Sequence, residues 1–274
     1  MSEQQTILIT GCSSGIGAAL AQEFARRGHS VIATARKPET VPPGPNIRAL
    51  ALDVTDAQSI ARLVEILEGE GKPIDMLINN AGFGTFGAMV DLSVADMRAQ
   101  FDTNVFAPVA VSSALLPLLR KSQRACIANV GSISGLVTTP FSGIYGASKA
   151  ALHSISDAMR MELLPLGVRV VTIQPGGIAS NFGNAGEQHI HLPANSLFQP
   201  IAKYIQRRAQ LSQHKATPAA DFANVVVTHL LDPNAGPVCR TGAQSIRLPW
   251  LKRVLPTRTT DAKMRKAFGL DKLR

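Results

Sequence analysis

The stretch "TILITGCSSGIGAALAQEFARRG", Thr6 to Gly28, decides how the rest of the chain is read. Its opening "TILIT" is apolar and β-branched, the pattern of a buried strand. Its close places Ile16, Leu20 and Phe24 four residues apart, one face of a helix, with Gly28 suited to the helix stop. Between them Gly11, Gly15 and Gly17 follow a G-x-x-x-G-x-G spacing. Glycine there lets the backbone turn sharply and lets a dinucleotide pyrophosphate approach where a Cβ would collide. The helix beyond offers that anion unpaired N–H groups and a partial positive charge. Ser13, Ser14 and Ile16 complete the predicted phosphate turn; a tight turn without ligand is the plain alternative.

Outward from this turn, strands and helices alternate. "SVIATAR" and "IRALALDV" read as the second and third strands, Asp56 to Gly69 as a helix, and "IDMLINN" as the fourth strand. Ser93 is placed to cap a long helix running towards Leu119, followed by the strand "ACIANVGS", the helix of residues 143–165 and the strand "VRVVTIQP". Strands that are apolar throughout are buried on both faces, which implies a parallel sheet covered by helices on each side. The expected fold is therefore α/β, a doubly wound Rossmann sheet of about seven parallel strands in a single domain.

The end of the second strand chooses between cofactors. A carboxylate there would accept from the adenosine ribose of NAD, whereas an arginine can hold the 2′-phosphate of NADP. "VIATARKPE" supplies Arg36 and Lys37 and no carboxylate before Glu39, which favours NADP(H) over NAD(H). Asp53 and Val54, ending the third strand, are placed to border the adenine, and Asp53 is equally suited to cap its own loop.

Farther along, "GIYGASKAAL" sets Tyr145 four residues before Lys149, one helical turn apart on one face. The spacing also suits an ordinary surface pair. Other features argue against competing chemistries. Cys12, Cys126 and Cys239 are odd in number and lack C-x-x-C spacing, which fits a reducing cytoplasm and buried inert packing. His189 and His191 in "EQHIHL" have no carboxylate or cysteine at metal-ligand spacing, so no metal is expected. The net charge of +9 is concentrated in Arg240–Arg274, where ten Lys/Arg against two Asp/Glu give +8; the body is close to neutral, and no nucleic-acid partner is expected.

The ordered set "TGCSSGIG" (10–17), "LDV" (52–54), "NNAG" (79–82), Asn104, Ser132 in "VGSISG", "YGASK" (145–149) and "QPGGIAS" (174–180) resembles the short-chain dehydrogenase/reductase family, in its single-domain branch. The resemblance implies a catalytic tetrad of Asn104, Ser132, Tyr145 and Lys149. Tyr145 would exchange a proton with the substrate oxygen, and Ser132 would bind that oxygen. Lys149 would lower the tyrosine pKa and hold the nicotinamide ribose, and Asn104 would hold a relaying water. It also implies cofactor contacts from Asn80, Ala81 and Gly82 and from Pro175, Gly176, Ile178 and Ser180; a threonine often stands where this chain has Ser180. The chemistry agrees: a phenol of pKa about 10 exchanges protons poorly near neutrality, and lowering it by roughly three units requires about 4 kcal/mol of phenolate stabilisation. "GCSSGIG", "ARKPE" and "NNAGFGTFG" look similar to bacterial NADP-dependent aldehyde reductases, retinol dehydrogenases and 17β-hydroxysteroid dehydrogenases. The implied substrate is a small apolar aldehyde, ketone or alcohol. A non-catalytic dinucleotide-binding regulator or scaffold is the alternative, which would have no need of Tyr145.

Residues 1–245 are expected to form the binding and catalytic domain, with a substrate loop at 178–216. In and around that loop Phe182, Leu192, Leu197, Phe198, Tyr204, Phe83, Phe86 and Phe141 are the expected apolar wall. Residues 246–274 read as a basic amphipathic tail that either packs on the protein or touches an anionic membrane surface. The start "MSEQQTILIT" has no signal-peptide pattern, so a cytoplasmic location is expected, and the small-residue faces of residues 93–119 and 143–165 suggest a homodimer or homotetramer.

Overall fold

The computed structural model describes residues 4–273. Seven strands, β1 (Thr6–Thr10), β2 (Ser30–Ala35), β3 (Ile47–Ala51), β4 (Met76–Asn79), β5 (Cys126–Val130), β6 (Arg169–Pro175) and β7 (Val238–Thr241), form one parallel sheet in the order β3-β2-β1-β4-β5-β6-β7. The order reverses between β1 and β4, where Ile7 is in register with Met76 and Ile9 with Ile78. Connections from these two strands leave to opposite sides, which opens a crevice beyond their carboxyl ends.

Alternation along each strand sends neighbouring side chains to opposite faces. Ile7 and Ile9 join Phe24 and Leu20 of α1 (Gly15–Arg26) and Phe222 and Val226 of α8 (Ala219–Leu231), while Leu8 joins Leu63 of α2 (Ala57–Gly69) and Leu115 of α4 (Ala107–Leu119). Burying each such side chain contributes about 1.5–3 kcal/mol. The α2 start is capped as its sequence suggests: Asp56 accepts from the Gln58 N–H at 2.9 Å.

The long helix expected from Ser93 is interrupted. Ser93 and Asp96 form a reciprocal cap for α3 (Val94–Phe101), but Asp102–Phe106 widens into a π turn before α4, with Ala107 N–H bonding Asp102 O. Pro108 explains the widening, because it has no N–H to give the Asn104 carbonyl and the α pattern cannot continue there. The run Val94–Leu119 is long and apolar enough to cross a membrane by length and composition, and half of its most apolar window is buried within the fold.

The remaining helices are α5 (Gly143–Leu163), α6 (Phe182–Glu187) and α7 (Ala202–Gln210) in the crevice region, and α9 (Arg247–Val254) and α10 (Thr257–Ala267) in the tail. Phe268 packs with Phe141, Ile201 and Ile205 in a third apolar cluster joined by Leu192, Phe198 and Tyr204. Much of the predicted wall is thus a small core between the loop and the tail, because the tail supplies apolar partners for those side chains. Leu197 is 84% exposed and belongs to no wall.

Phe24 is fully buried between the sheet and the α1–α8 layer. Phe24→Ala is expected to lower unfolding free energy by about 3–5 kcal/mol, read as a reduced urea midpoint with unchanged slope. A midpoint equal to wild type would contradict this packing.

Candidate active site

The phosphate turn is shaped by a clasp between β1 and β4. Asn80 N–H and Ala81 N–H both donate to Thr10 Oγ1 at 3.0 Å, and Asn80 Nδ2 donates to Thr10 O at 2.8 Å and Gly11 O at 2.9 Å. A Cβ on Gly17 would lie 2.4 Å from both Asn80 Nδ2 and Gly11 O, so no other residue fits there without displacing the clasp. Gly11 has φ +73 and would put a Cβ 2.8 Å from Ala81 Cα. The glycines therefore serve the backbone approach as well as any bound phosphate. Ser13 and Ser14 stand exposed at the turn, Ile16 is half-buried, and Gly15 faces Ser180.

Ser180 belongs to the loop after β6, which runs from buried Pro175 through Gly176 to buried Ile178. Gly176 leaves room for the Ala243 carbonyl, 2.1 Å from where its Cβ would stand. The Ser180 N–H donates to Gln213 Oε1 at 2.9 Å, and its hydroxyl accepts from the Phe182 N–H at 3.3 Å. On the adenine side, Arg36 and Lys37 are exposed beyond β2. Asp53 caps its own turn, accepting from Thr55 N–H at 3.0 Å and Thr55 Oγ1 at 2.7 Å. Those bonds hold its carboxyl below the usual range, and the nearby Arg36 charge adds to the effect. Val54 lines a narrow cleft with Thr10, Ala81 and Thr103.

The four side chains of the expected tetrad gather near the carboxyl ends of β4 and β5. The π turn directs Asn104 inward, where it is fully buried. Its Nδ2 donates to Phe83 O at 3.0 Å and Ser148 Oγ at 3.1 Å, while its Oδ1 accepts from Phe83 N–H at 3.2 Å. A Cβ on Gly82 would lie 2.9 Å from Asn104 Oδ1 and 3.5 Å from Lys149 Nζ, so both groups converge on that glycine. Below them a polar ladder links β4, β5, α4 and α5: Asn79 Nδ2 donates to Asn129 Oδ1 at 2.8 Å and Ser112 Oγ at 3.0 Å, and Asn129 Nδ2 donates to Ser156 Oγ at 2.9 Å.

Tyr145 and Lys149 are both buried on one face of α5. Lys149 Nζ donates to Val130 O at 2.8 Å, and burial brings its pKa down to about 8. Burial raises the Tyr145 pKa; the Ser132 side chain opposes that rise, and so does the charge of Arg208. Sequence reasoning assigns the lowering of the tyrosine pKa to Lys149, with the oxidised nicotinamide adding to it, and misses Arg208, which arrives from α7, 63 residues after Tyr145 along the chain. Phe182 is 5.4 Å from the Tyr145 ring and 6.4 Å from Phe86, centroid to centroid. Phe83 rests on His189 at 4.8 Å instead.

His153 is the other residue missed, and only its place one turn after Lys149 could have signalled it. Its Nε2 accepts from the Ser132 N–H at 3.3 Å, and a Cβ on Gly131 would collide with it at 2.2 Å. The cysteines are buried, with burial pushing the Cys12 thiol up to about 12 and Cys239 to about 11. Among the described residues no group of three His, Cys, Asp or Glu could hold a metal ion; His191 Nδ1 lies 3.4 Å from Asp96 Oδ2.

The family model described as "short chain dehydrogenase" matches residues 5–190. The chain is 33% identical over 276 residues to the Short-chain dehydrogenase cctT of Talaromyces islandicus, covering 98% of this chain and 97% of that one. It is 39% identical over 181 residues, 66% of each chain, to the 3-ketodihydrosphingosine reductase of Bacteroides thetaiotaomicron. A solved short-chain dehydrogenase from Streptomyces avermitilis superposes with TM-score 0.80 at 26% identity over 98% of both chains. Two Burkholderia structures share the fold. That from Burkholderia cenocepacia, in complex with NADP, has TM-score 0.74 at 23% identity over 96% of this chain and 98% of that one. That from Burkholderia phymatum, in complex with NAD, has TM-score 0.76 at 22% identity over 96% and 95%.

Burial brings the His153 pKa from 6.5 down to about 4. Between pH 4 and 6.5 the unfolded chain holds a proton on His153 that the native protein does not, so stability rises with pH across that window. His29 shifts in the same direction. His153→Asn is therefore expected to flatten, without abolishing, the rise of Tm through this range; an unchanged slope would contradict a neutral His153 supporting Ser132.

Proposed function

The chain belongs to the short-chain dehydrogenase family, and from that premise we propose that it is an NADP-dependent oxidoreductase that reduces an apolar aldehyde or ketone, or oxidises the matching alcohol. The observation that carries this is the convergence of Asn104, Ser132, Tyr145 and Lys149 beside the glycine-lined crevice between β1 and β4. That crevice fits a dinucleotide because Gly11, Gly15 and Gly17 present backbone, not side chains, at the start of α1. Gly11 to Gly17 would hold the pyrophosphate, Asp53 and Val54 the adenine side, and Asn80, Ala81 and Gly82 the middle. Lys149, Pro175, Gly176, Ile178 and Ser180 would surround the nicotinamide end. Arg36 and Lys37 favour NADP, since they stand exposed at the end of β2 and no carboxylate precedes Glu39 in that turn; the nearest acid charge felt there is Asp53, whose carboxyl is engaged by Thr55. When bound, the nicotinamide supplies or accepts the hydride.

The protein's own part is the proton and the oxygen. Ser132 hydrogen-bonds the substrate oxygen and Tyr145 gives it a proton, aided by the Arg208 charge that favours the phenolate. Lys149, with its pKa near neutrality, can pass a proton onward, and Asn104 orients the polar groups behind it. Phe182 packs on the Tyr145 ring with Phe86 behind it, so the surroundings of Tyr145 are apolar, which supports a substrate with an apolar body. Exposed Phe106 at the end of the π turn, Val109 on α4 and Met161 on α5 support pairing of subunits through these helices as a dimer or tetramer. Ile246, Trp250 and Val254 are exposed beside Arg247 and Arg253, which supports peripheral contact of the tail with an anionic membrane surface of the cytoplasm, although α9 also ties to the body through Lys252 Nζ and Leu136 O at 2.7 Å.

A panel of aldehydes, ketones and alcohols with NADPH and NADH is expected to show turnover with NADPH preferred. Tyr145→Phe should lower kcat by about a hundredfold or more. Arg36→Ala should weaken NADPH binding by roughly tenfold and leave NADH binding little changed. Full activity in Tyr145→Phe would overturn the proton role, and a wild-type preference for NADH would overturn the cofactor assignment.

A further inference from the structure

Arg208, on α7, is 7% exposed, yet no carboxylate among the described residues pairs with it. Its Nε donates to Thr139 Oγ1 and its Nη2 to Ser142 Oγ, both at 2.8 Å, and those two oxygens lie 2.9 Å apart. The hydroxyl pair thus fills one edge of the guanidinium as a carboxylate would, but without its charge. Phe86 covers the group, with Cζ 5.3 Å from the ring centroid. A guanidinium has five N–H donors. Only Nε and Nη2 donate to described residues, so the Nη1–Nη2 end is unpartnered. Merely tying Thr139 to Ser142 would need two donors, which a glutamine amide provides without burying a charge.

The place of this unused end matters. Ser142 precedes Tyr145 by three residues at the start of α5, and the ring series Phe86, Phe182, Tyr145 is continuous from guanidinium to phenol. Each group feels the other's charge, and burial lowers the Arg208 pKa only to about 10, so it is cationic near neutrality.

We propose that Arg208 receives a carboxylate of the substrate on its Nη1–Nη2 end, so that the carbonyl reduced at Tyr145 belongs to an oxo acid with an apolar body. Planar guanidinium and planar carboxylate match through two parallel hydrogen bonds, and Phe86 shields one face of the group. The inference rests on the oxidoreductase reading above and narrows its substrate class. Arg208 thereby acts as a specificity residue, distinct from the proton-transferring Tyr145.

The test compares para-carboxybenzaldehyde with its methyl ester, using the full chain and NADPH. Wild type is expected to favour the acid about tenfold or more in kcat/KM, mainly through KM. Arg208→Gln should bring the acid-to-ester ratio to about one, and Arg208→Lys should keep part of the preference. Because the ratio is read within each variant, a general loss of activity does not mimic the effect. A wild-type preference for the ester, or an unchanged ratio in Arg208→Gln, would overturn the inference; equal loss on both substrates would mean that Arg208 serves the Tyr145 phenolate instead. Independently of turnover, benzoate should raise the Tm of the NADPH-saturated wild type and not of Arg208→Gln, and no rise in the wild type would also overturn it. Failure of NADPH to reduce either aldehyde or any other carbonyl overturns the oxidoreductase reading, while the benzoate shift still reports on Arg208.

Discussion

Much of this molecule follows from how closely the ends of β1 and β4 approach. Thr10 Oγ1 accepts from two successive backbone N–H groups beyond β4, and the Asn80 amide donates to the last carbonyl of β1 and the one after it. Nothing larger than hydrogen fits at Gly17 beneath that amide. The clasp fixes the crevice at the point where strand order reverses, with the start of α1 on one side and Gly82 on the other. Any ligand held there is presented to whatever side chains the neighbouring strand ends provide.

Those neighbours are held by a set of buried polar contacts. Asn79, Asn129, Ser112 and Ser156 tie β4 and β5 to α4, which follows the turn holding Asn104, and to α5, which carries Lys149. Pro108 has a share in this, since the helix widens where its missing N–H breaks the regular pattern, and Asn104 lies within the widened turn. His153 supports the backbone of Ser132 from a position where burial keeps the imidazole neutral. Such a network is demanding, because each unpaired member would cost about 1–3 kcal/mol, and for that reason it holds its members in one arrangement.

The fold was legible because local signals agreed: β-branched runs, four-residue helical spacing and glycine punctuation all indicated one alternating pattern. The Ser93 cap and the tyrosine-lysine face were readable for the same reason, being set by residues three or four apart. The interruption was signalled by Pro108, well inside the helix expected from Ser93, but that it takes the form of a π turn was not legible, since a proline can equally kink or end a helix. The substrate side was least legible. Phe141, Phe198 and Tyr204 looked like a pocket wall, but their partners Met264 and Phe268 lie some sixty or more residues away and turn them into core. Arg208 sits in "YIQRRAQ", where helical spacing does not distinguish a buried arginine from a solvated one; only the distant Thr139, Ser142 and Phe86 make the distinction.

The proposed chemistry is a hydride delivered across the crevice and a proton delivered by Tyr145. The most direct measurement is mass spectrometry of the alcohol formed from a carbonyl substrate with NADPH carrying deuterium at the transferred position. One deuterium on the former carbonyl carbon is the predicted result. Product lacking deuterium, or no reduction across the substrate panel despite bound NADPH, would contradict it.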